Sequence, residues 1–179
     1  MIAHWLGLFA FGALAGSLLD GIHTHSGMTV YATPWWWMMA VWTPPLFGFA
    51  AVAIAFAHWL SDRKWPRPAP VPSWTAVGVG GAIFAITYYL SGYLPAGNVV
   101  KALVLIAIFV GCWLAYDRTR HGLVLATITA AGGASAEITL TTIGAFRHLH
   151  PDVAYLPYWL PCLYLVASVT VGNVGRRFV

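Results

Sequence analysis

The sequence predicts an all-α polytopic membrane protein: six transmembrane helices forming one domain over residues 1–179, with both termini on the cytoplasmic side. Three observations carry that expectation. Hydrophobic residues make up 60% of the chain and charged residues 8%, against about 45–50% and about 25% in soluble domains. Six continuous apolar stretches each reach the roughly 17–25 residues that a spanning helix needs. Lys and Arg, finally, collect on one side of the spans so defined. Fourteen charged side chains (nine Lys+Arg, five Asp+Glu) cannot cover a soluble surface. A water-soluble fold, a disordered tail and a nucleic-acid binder are therefore excluded, although the net charge is +4.

The stretches follow one another with short connections. The first, Ile2–Leu19, carries Gly12-x-x-x-Gly16, a small-residue face of the kind that lets helices approach closely. A cleavable signal peptide competes for this segment, with Ala13-Leu14-Ala15 as its cleavage site, but no Lys or Arg precedes the apolar run. It is kept as a helix. The second stretch, Trp35–Trp59, contains Pro44 and Pro45. Proline suits a first helical turn and disrupts an interior, so helix two starts near Pro44 and Trp35–Met39 is left as an interfacial segment. Trp74–Leu94, Val99–Tyr116 and Leu123–Phe146 form helices three to five, and Tyr158–Val174 forms helix six with Pro161 in its first turn. The stretches are continuous rather than alternating, which rejects a β-barrel. The connections leave no room for a soluble domain.

Charge sets the orientation. Arg63, Lys64, Arg67, Arg118, Arg120, Arg176 and Arg177 fall on one side, and only Lys101 and Arg147 on the other. The positive-inside rule places both termini in the cytoplasm. Trp5, Trp35 to Trp37, Trp59, Trp65, Trp74 and Trp159 lie near the span ends, as an aromatic belt requires.

Few residues break the apolar pattern. An ionisable group inside a bilayer is costly, so Glu137 in helix five is the leading functional candidate. Counted along its stretch it sits near mid-membrane, after the small-residue run Ala130–Ala136. It serves either as a polar anchor or proton site, or as a neutral carboxyl bonded to a Ser, Thr or Tyr of another helix. Lys101 is expected to snorkel to the outer interface. Two outer pairs, His23-Thr24-His25 and His148-Leu149-His150, lie near Asp20 and Asp152, but ligand spacing without geometry makes no metal site. Cys112 and Cys162 form no CxxC and are read as buried thiols. No nucleophile motif or phosphate loop is present, so neither catalysis nor a cofactor is expected. Asp62-Arg63 and Asp117-Arg118 are read as charged helix ends.

A family resemblance spans most of the chain. Trp113, followed by Asp117-Arg118-Thr119-Arg120 and Gly122, resembles the loop after helix four of the Insig (insulin-induced gene) proteins. Trp159-Leu160-Pro161-Cys162 and Gly172-Asn173-Val174-Gly175-Arg176 resemble their sixth helix, and Trp42-x-Pro44-Pro45 the start of their second. The resemblance implies a non-enzymatic role. Eukaryotic Insigs reside in the endoplasmic reticulum, bind oxysterols, retain the escort protein Scap and link HMG-CoA reductase to degradation. It also implies that Asp117, with Arg118 and Arg120, forms a partner-coupling cytoplasmic turn, and that Trp113 walls the sterol pocket. Polar positions of helix four in vertebrate members fall on Val100 and Val104, which points to broader lipid binding. The long hydrophilic tails of eukaryotic members are not seen, and the excess of Arg over Lys suits a bacterial cytoplasmic membrane.

The expected function is thus binding of a sterol or diacylglycerol-like lipid in a cavity between helices three, four and five, lined by Phe84, Tyr88, Val104, Trp113 and Glu137. Phe84 and Tyr88 are one turn apart and share a face. A small proton-coupled transporter using Glu137 is the alternative. Expected partners are a membrane lipid or sterol, a second copy of the chain through the Gly12/Gly16 or Ala130–Ala136 faces and, in a eukaryote, a sterol-sensing membrane protein.

Overall fold

The computed structural model describes residues 2–65 and 68–178. Among them are six helices and a short β-ribbon: α1 (Ile2–His25), β1 (Thr29–Tyr31), α2 (Thr43–Lys64), α3 (Trp74–Tyr93), α4 (Asn98–Tyr116), α5 (Arg120–Thr142), β2 (Phe146–His148) and α6 (Trp159–Phe178). The first five are long and apolar enough to cross a membrane by length and composition. The chain is mostly helical rather than purely so, because β1 pairs antiparallel with β2. Three-residue strands are too short to leave a periodic signal in the sequence.

Most helix ends fall where the sequence places them. Pro44 sits in the first turn of α2, and Trp35–Met39 lies outside any helix. Two expectations are corrected. α1 runs on past Leu19 to His25, so the first His pair is helical, and α5 stops at Thr142 because Phe146 belongs to the ribbon.

α6 is the centre of the bundle, packed against α2, α3, α4 and α5 and buried along nearly its whole length. A helix wrapped in protein has no need to be uniformly apolar, provided its polar groups are paired. Ser168 is hydrogen-bonded to His58 at 3.1 Å and accepts from Thr129 Oγ1 at 3.3 Å. α1 and α2 pack closely through glycine. A Cβ at Gly12 would overlap Ala51, and one at Gly16 would lie 2.6 Å from the Phe47 ring. The Gly12-x-x-x-Gly16 face is thus used within the chain.

The chain contains a structural repeat of 117 residues, which relates α1–β1–α2 to α5–β2–α6. Each half leaves its first helix by the same Schellman turn. Met28 N donates to His23 O at 2.8 Å and Ala145 N to Leu140 O at 2.9 Å, around Gly27 (φ 73°) and Gly144 (φ 75°). Each strand is followed by a tight turn with two left-handed residues, Trp37 and Met38 in one half, Ala154 and Tyr155 in the other. The ribbon register maps onto itself under the exchange, Thr29 facing His148 and Tyr31 facing Phe146. Gly16 against Phe47 is matched by Gly133 against Tyr164, where a Cβ would lie 2.7 Å from the ring. α3 and α4 separate the halves, and α4 packs outside, on α6 and α3.

Lys101 does not snorkel. Its side chain is buried, and Nζ donates to Ser91 O in the last turn of α3 at 2.7 Å. α3 has no basic residue of its own there, so Lys101 supplies the cation that a helix C-terminus favours.

The glycine contacts make a testable contrast. Gly133→Leu drives a side chain into Tyr164 and is expected to cost about 1–3 kcal/mol by overpacking. Gly132→Ala meets nothing within 4 Å and is expected to gain up to about 1 kcal/mol of helix propensity. Thermal unfolding of the two variants in detergent should therefore move in opposite directions.

Candidate functional site

A cavity of about 500 Å³ runs along the bundle between α1, α2, α3, α5 and α6. Its walls are apolar over most of their length, with Phe11, Leu46, Ile54, Val77, Phe84 and Leu163 among them. Small residues hollow it out: Ala15 and Gly16 on α1, Gly78 and Gly81 on α3, Gly133 and Ala136 on α5. Volume and lining suit a ligand that is mostly hydrocarbon.

The ribbon end of the cavity is polar. Asp20, Thr29, Tyr31, Glu137, His148 and Tyr164 all line it. The repeat puts an acid in each half, Asp20 on α1 and Glu137 on α5, and each accepts from the strand residue eleven positions later. Tyr31 OH donates to Asp20 Oδ2 at 2.6 Å, and His148 Nε2 to Glu137 Oε2 at 2.6 Å. Tyr164 OH donates to the other oxygen of Glu137, and Gly133 leaves the room its ring occupies. Burial and the charge of Asp20 push the Tyr31 phenol above its ordinary pKa, so it stays protonated and remains a donor.

Glu137 stands near the ribbon end of α5, five residues before the helix stops at Thr142, rather than at its middle. Its apolar stretch looks longer in the sequence because Ile143, Gly144, Ala145 and Phe146, the turn and the first residue of β2, are also free of charge. Of the other expected lining residues, Phe84 and Tyr88 do face the cavity, with their rings edge to face at 5.2 Å. Val104 and Trp113 do not, because α4 lies behind α3 and α6. Val104 packs beside the cluster containing Leu105 and Trp159, and Trp113 beside that of Phe109 and Cys112. α1, α2 and α6 supply walls that sequence reasoning missed, as it did Asp20 as a lining residue, Tyr31 and Tyr164. The 117-residue spacing of Asp20 and Glu137, and of Gly27 and Gly144, is the signal that would have found them.

The inner members of the two His pairs come together around one ring. His23 and His148 lie 5.0 Å and 6.4 Å from Trp159 between ring centroids, and His23 also bonds Ser91 Oγ at 2.8 Å. Among the described residues, no three His, Cys, Asp or Glu side chains converge as a metal site would require.

At the opposite end of the bundle, outside the cavity's lining, a cluster of ions ties the helices together. Arg176 on α6 donates from Nε to Asp62 Oδ2 at 2.6 Å and from Nη1 to Asp117 Oδ2 at 2.9 Å. His121 lies 2.7 Å from Asp62 Oδ1, and Asn173 Oδ1 accepts from Arg176 at 3.1 Å. Asp117 is buried and also accepts from Thr119 N at 2.9 Å and from the Thr119 hydroxyl. A Cβ at residue 122 would overlap this carboxylate, which is why glycine stands there. Asp117 therefore faces inward, and its compensating cation is Arg176 rather than Arg118 or Arg120. Those two remain exposed, Arg118 in the left-handed region at φ 56° with its guanidinium on Leu114 O. Arg67 lies outside the described residues.

Removing the shared cation should be severe. Arg176→Met leaves buried Asp117 without its cation and Asp62 with His121 alone, and is expected to cost about 3–5 kcal/mol. Adding Asp117→Asn to that variant should recover part of the loss in thermal unfolding, a coupling that independent sites would not show.

Comparison with known proteins agrees with this geometry. The model of the insulin-induced protein (INSIG) family matches residues 3–179. The chain is similar to the insulin-induced gene 1 protein of Cricetulus griseus, 29% identical over 188 residues that cover 99% of this chain and 71% of that protein. It is 30% identical to the protein of the same name from Xenopus tropicalis, over 99% of this chain and 72% of that one. Among solved structures, its fold resembles a mycobacterial Insig homologue from Mycobacterium vanbaalenii, with a TM-score of 0.87, 24% identity, and coverage of 98% of this chain and 94% of that chain. That homologue has also been crystallised as a cross-linked trimer. A family match over almost the whole length, on a helical fold shared with a solved homologue, shows that this chain belongs to the insulin-induced protein (INSIG) family.

Proposed function

We propose that this INSIG-family chain is a non-enzymatic, integral membrane lipid-binding protein that holds a sterol or diacylglycerol-like molecule in the cavity of about 500 Å³. The observation that carries the reading is the cavity's polarity: mostly apolar along α1, α2, α3, α5 and α6, with its acids, Asp20 and Glu137, both at the ribbon. A lipid would lie along the helices with its polar group at the ribbon.

In this reading all six helices span the membrane. Arg63, Lys64, Arg118, Arg120, Arg176 and Arg177 stand at the end remote from the ribbon, which the positive-inside rule assigns to the cytoplasm together with both termini. The exposed Arg118 and Arg120 are then what the cytoplasmic turn offers a partner, with Asp117 holding the turn from within. Self-association is part of the proposal: the related mycobacterial protein is recorded as a cross-linked trimer, and α4 presents Val99, Leu103, Ile106 and Val110 outward. A bacterial cytoplasmic membrane suits the Arg-rich composition.

Binding is preferred to proton-coupled transport through Glu137. Both oxygens of that carboxylate are occupied by Tyr164 and His148, and α5 is continuous through the site, whereas transporter sites use broken helices.

A ligand that starts in lipid gains little from apolar burial alone, so selectivity rests on shape and on few polar groups. Saturable binding of a labelled 25-hydroxylated sterol to the purified protein is therefore expected, with displacement by excess diacylglycerol or cholesterol. Saturable sterol binding displaced by neither would show strict oxysterol recognition instead.

A further inference from the structure

The repeat makes the ribbon end of the cavity symmetric in backbone but unequal in hydrogen bonding. Glu137 has a donor on each oxygen, Tyr164 OH on Oε1 and His148 Nε2 on Oε2. Its counterpart Asp20 receives one donor, Tyr31 OH on Oδ2. The residue that corresponds to Tyr164 in this half is Phe47, which has no hydroxyl to give. Among the described residues nothing donates to Asp20 Oδ1, although Asp20 is only 8% exposed. A carboxylate oxygen without a donor thus stands at the polar end of an apolar cavity. Buried polar groups are ordinarily paired, so such an end calls for a ligand that brings a donor.

We propose that Asp20 is the headgroup site of the lipid cavity and that it selects an uncharged alcohol. The ligand's hydroxyl donates to Asp20 Oδ1. A sterol and a diacylglycerol both offer that group on an apolar body. A phosphate-bearing lipid offers only acceptors and negative charge, and meets two carboxylates. Glu137 is the positioning member of the pair: its hydrogen bond with His148 fixes β2, and β2 in turn sets the place of Tyr31, the donor to Asp20, by direct pairing. The inference rests on the lipid-binding reading above and adds to it the residue that recognises the ligand.

Lipids that differ only at the hydroxyl separate the two claims. Displacement of a fluorescent diacylglycerol from the detergent-solubilised protein would be measured with 1,2-dioleoylglycerol, its 3-acetyl ester and dioleoyl phosphatidic acid, and in parallel with cholesterol and cholesteryl methyl ether. The free alcohols are expected to compete at least about tenfold better than their capped forms, and phosphatidic acid at least about tenfold worse than dioleoylglycerol. Preference in only one of the two alcohol–cap pairs identifies which lipid class supplies the hydroxyl. Asp20→Asn should narrow the preference to below about threefold. If alcohols and caps bind the wild-type protein equally, the headgroup site is wrong while the cavity stands. If no lipid competes, both readings fall. Full preference retained by Asp20→Asn would overturn the role of Asp20.

Discussion

A carboxylate placed in an apolar bundle must find donors close at hand, and this chain places two of them, Asp20 and Glu137, at one end of the same cavity. The donors cannot come from lipid. They come from the segment that follows each acid-bearing helix: a Schellman turn at glycine reverses the chain, and three residues of strand carry Tyr31 and His148 back over Asp20 and Glu137. Pairing of the two strands then ties the halves together across the end of the cavity. The ribbon, the two left-handed glycines and the length of α1 and α5 all follow from that one requirement. So does Gly133, whose missing side chain admits Tyr164 to Glu137.

The opposite end solves a similar problem with charge. Arg176 closes α6 against the ends of α2 and α4 by bridging Asp62 and Asp117. Because the bridge is internal, the turn from Asp117 to Gly122 is hydrogen-bonded and closely packed where it faces the protein and cationic where it faces out. A central helix that carries Ser168, Asn173 and Arg176 is tolerable only because neighbouring helices surround it. Between these two polar clusters lies the apolar cavity, whose acids both stand at the ribbon end.

Much of the helical framework was legible in the sequence, since apolar length, Pro44 behind Trp42 and the placement of Lys and Arg each have a direct physical meaning. The INSIG family was legible too, from the turn at Asp117 and the two ends of α6. Legibility failed where an outcome depends on which helix covers which. Val104 and Trp113 sit on α4, and nothing local to α4 says that α3 and α6 stand between it and the cavity. Lys101 reads as an interfacial cation because its acceptor, Ser91 O, is a backbone atom of another helix. The repeat stayed hidden because the identities its halves share, such as Gly27 with Gly144, Trp42 with Trp159 and Pro44 with Pro161, are scattered among exchanges: Asp20 answers to Glu137, Tyr31 to His148 and Phe47 to Tyr164.

Where a lipid lies in the bundle is open to direct measurement with a pair of photoreactive diacylglycerols, one carrying its diazirine beside the glycerol and one at the end of an acyl chain. After irradiation in membranes, the glycerol probe should label peptides around residues 20–31 and 137–148, and the chain probe those around Trp74 and Phe178 at the other end of the cavity. Labelling by both probes confined to the outward face of α4, at Leu103 and Ile106, would contradict an internal site with its polar end at the ribbon.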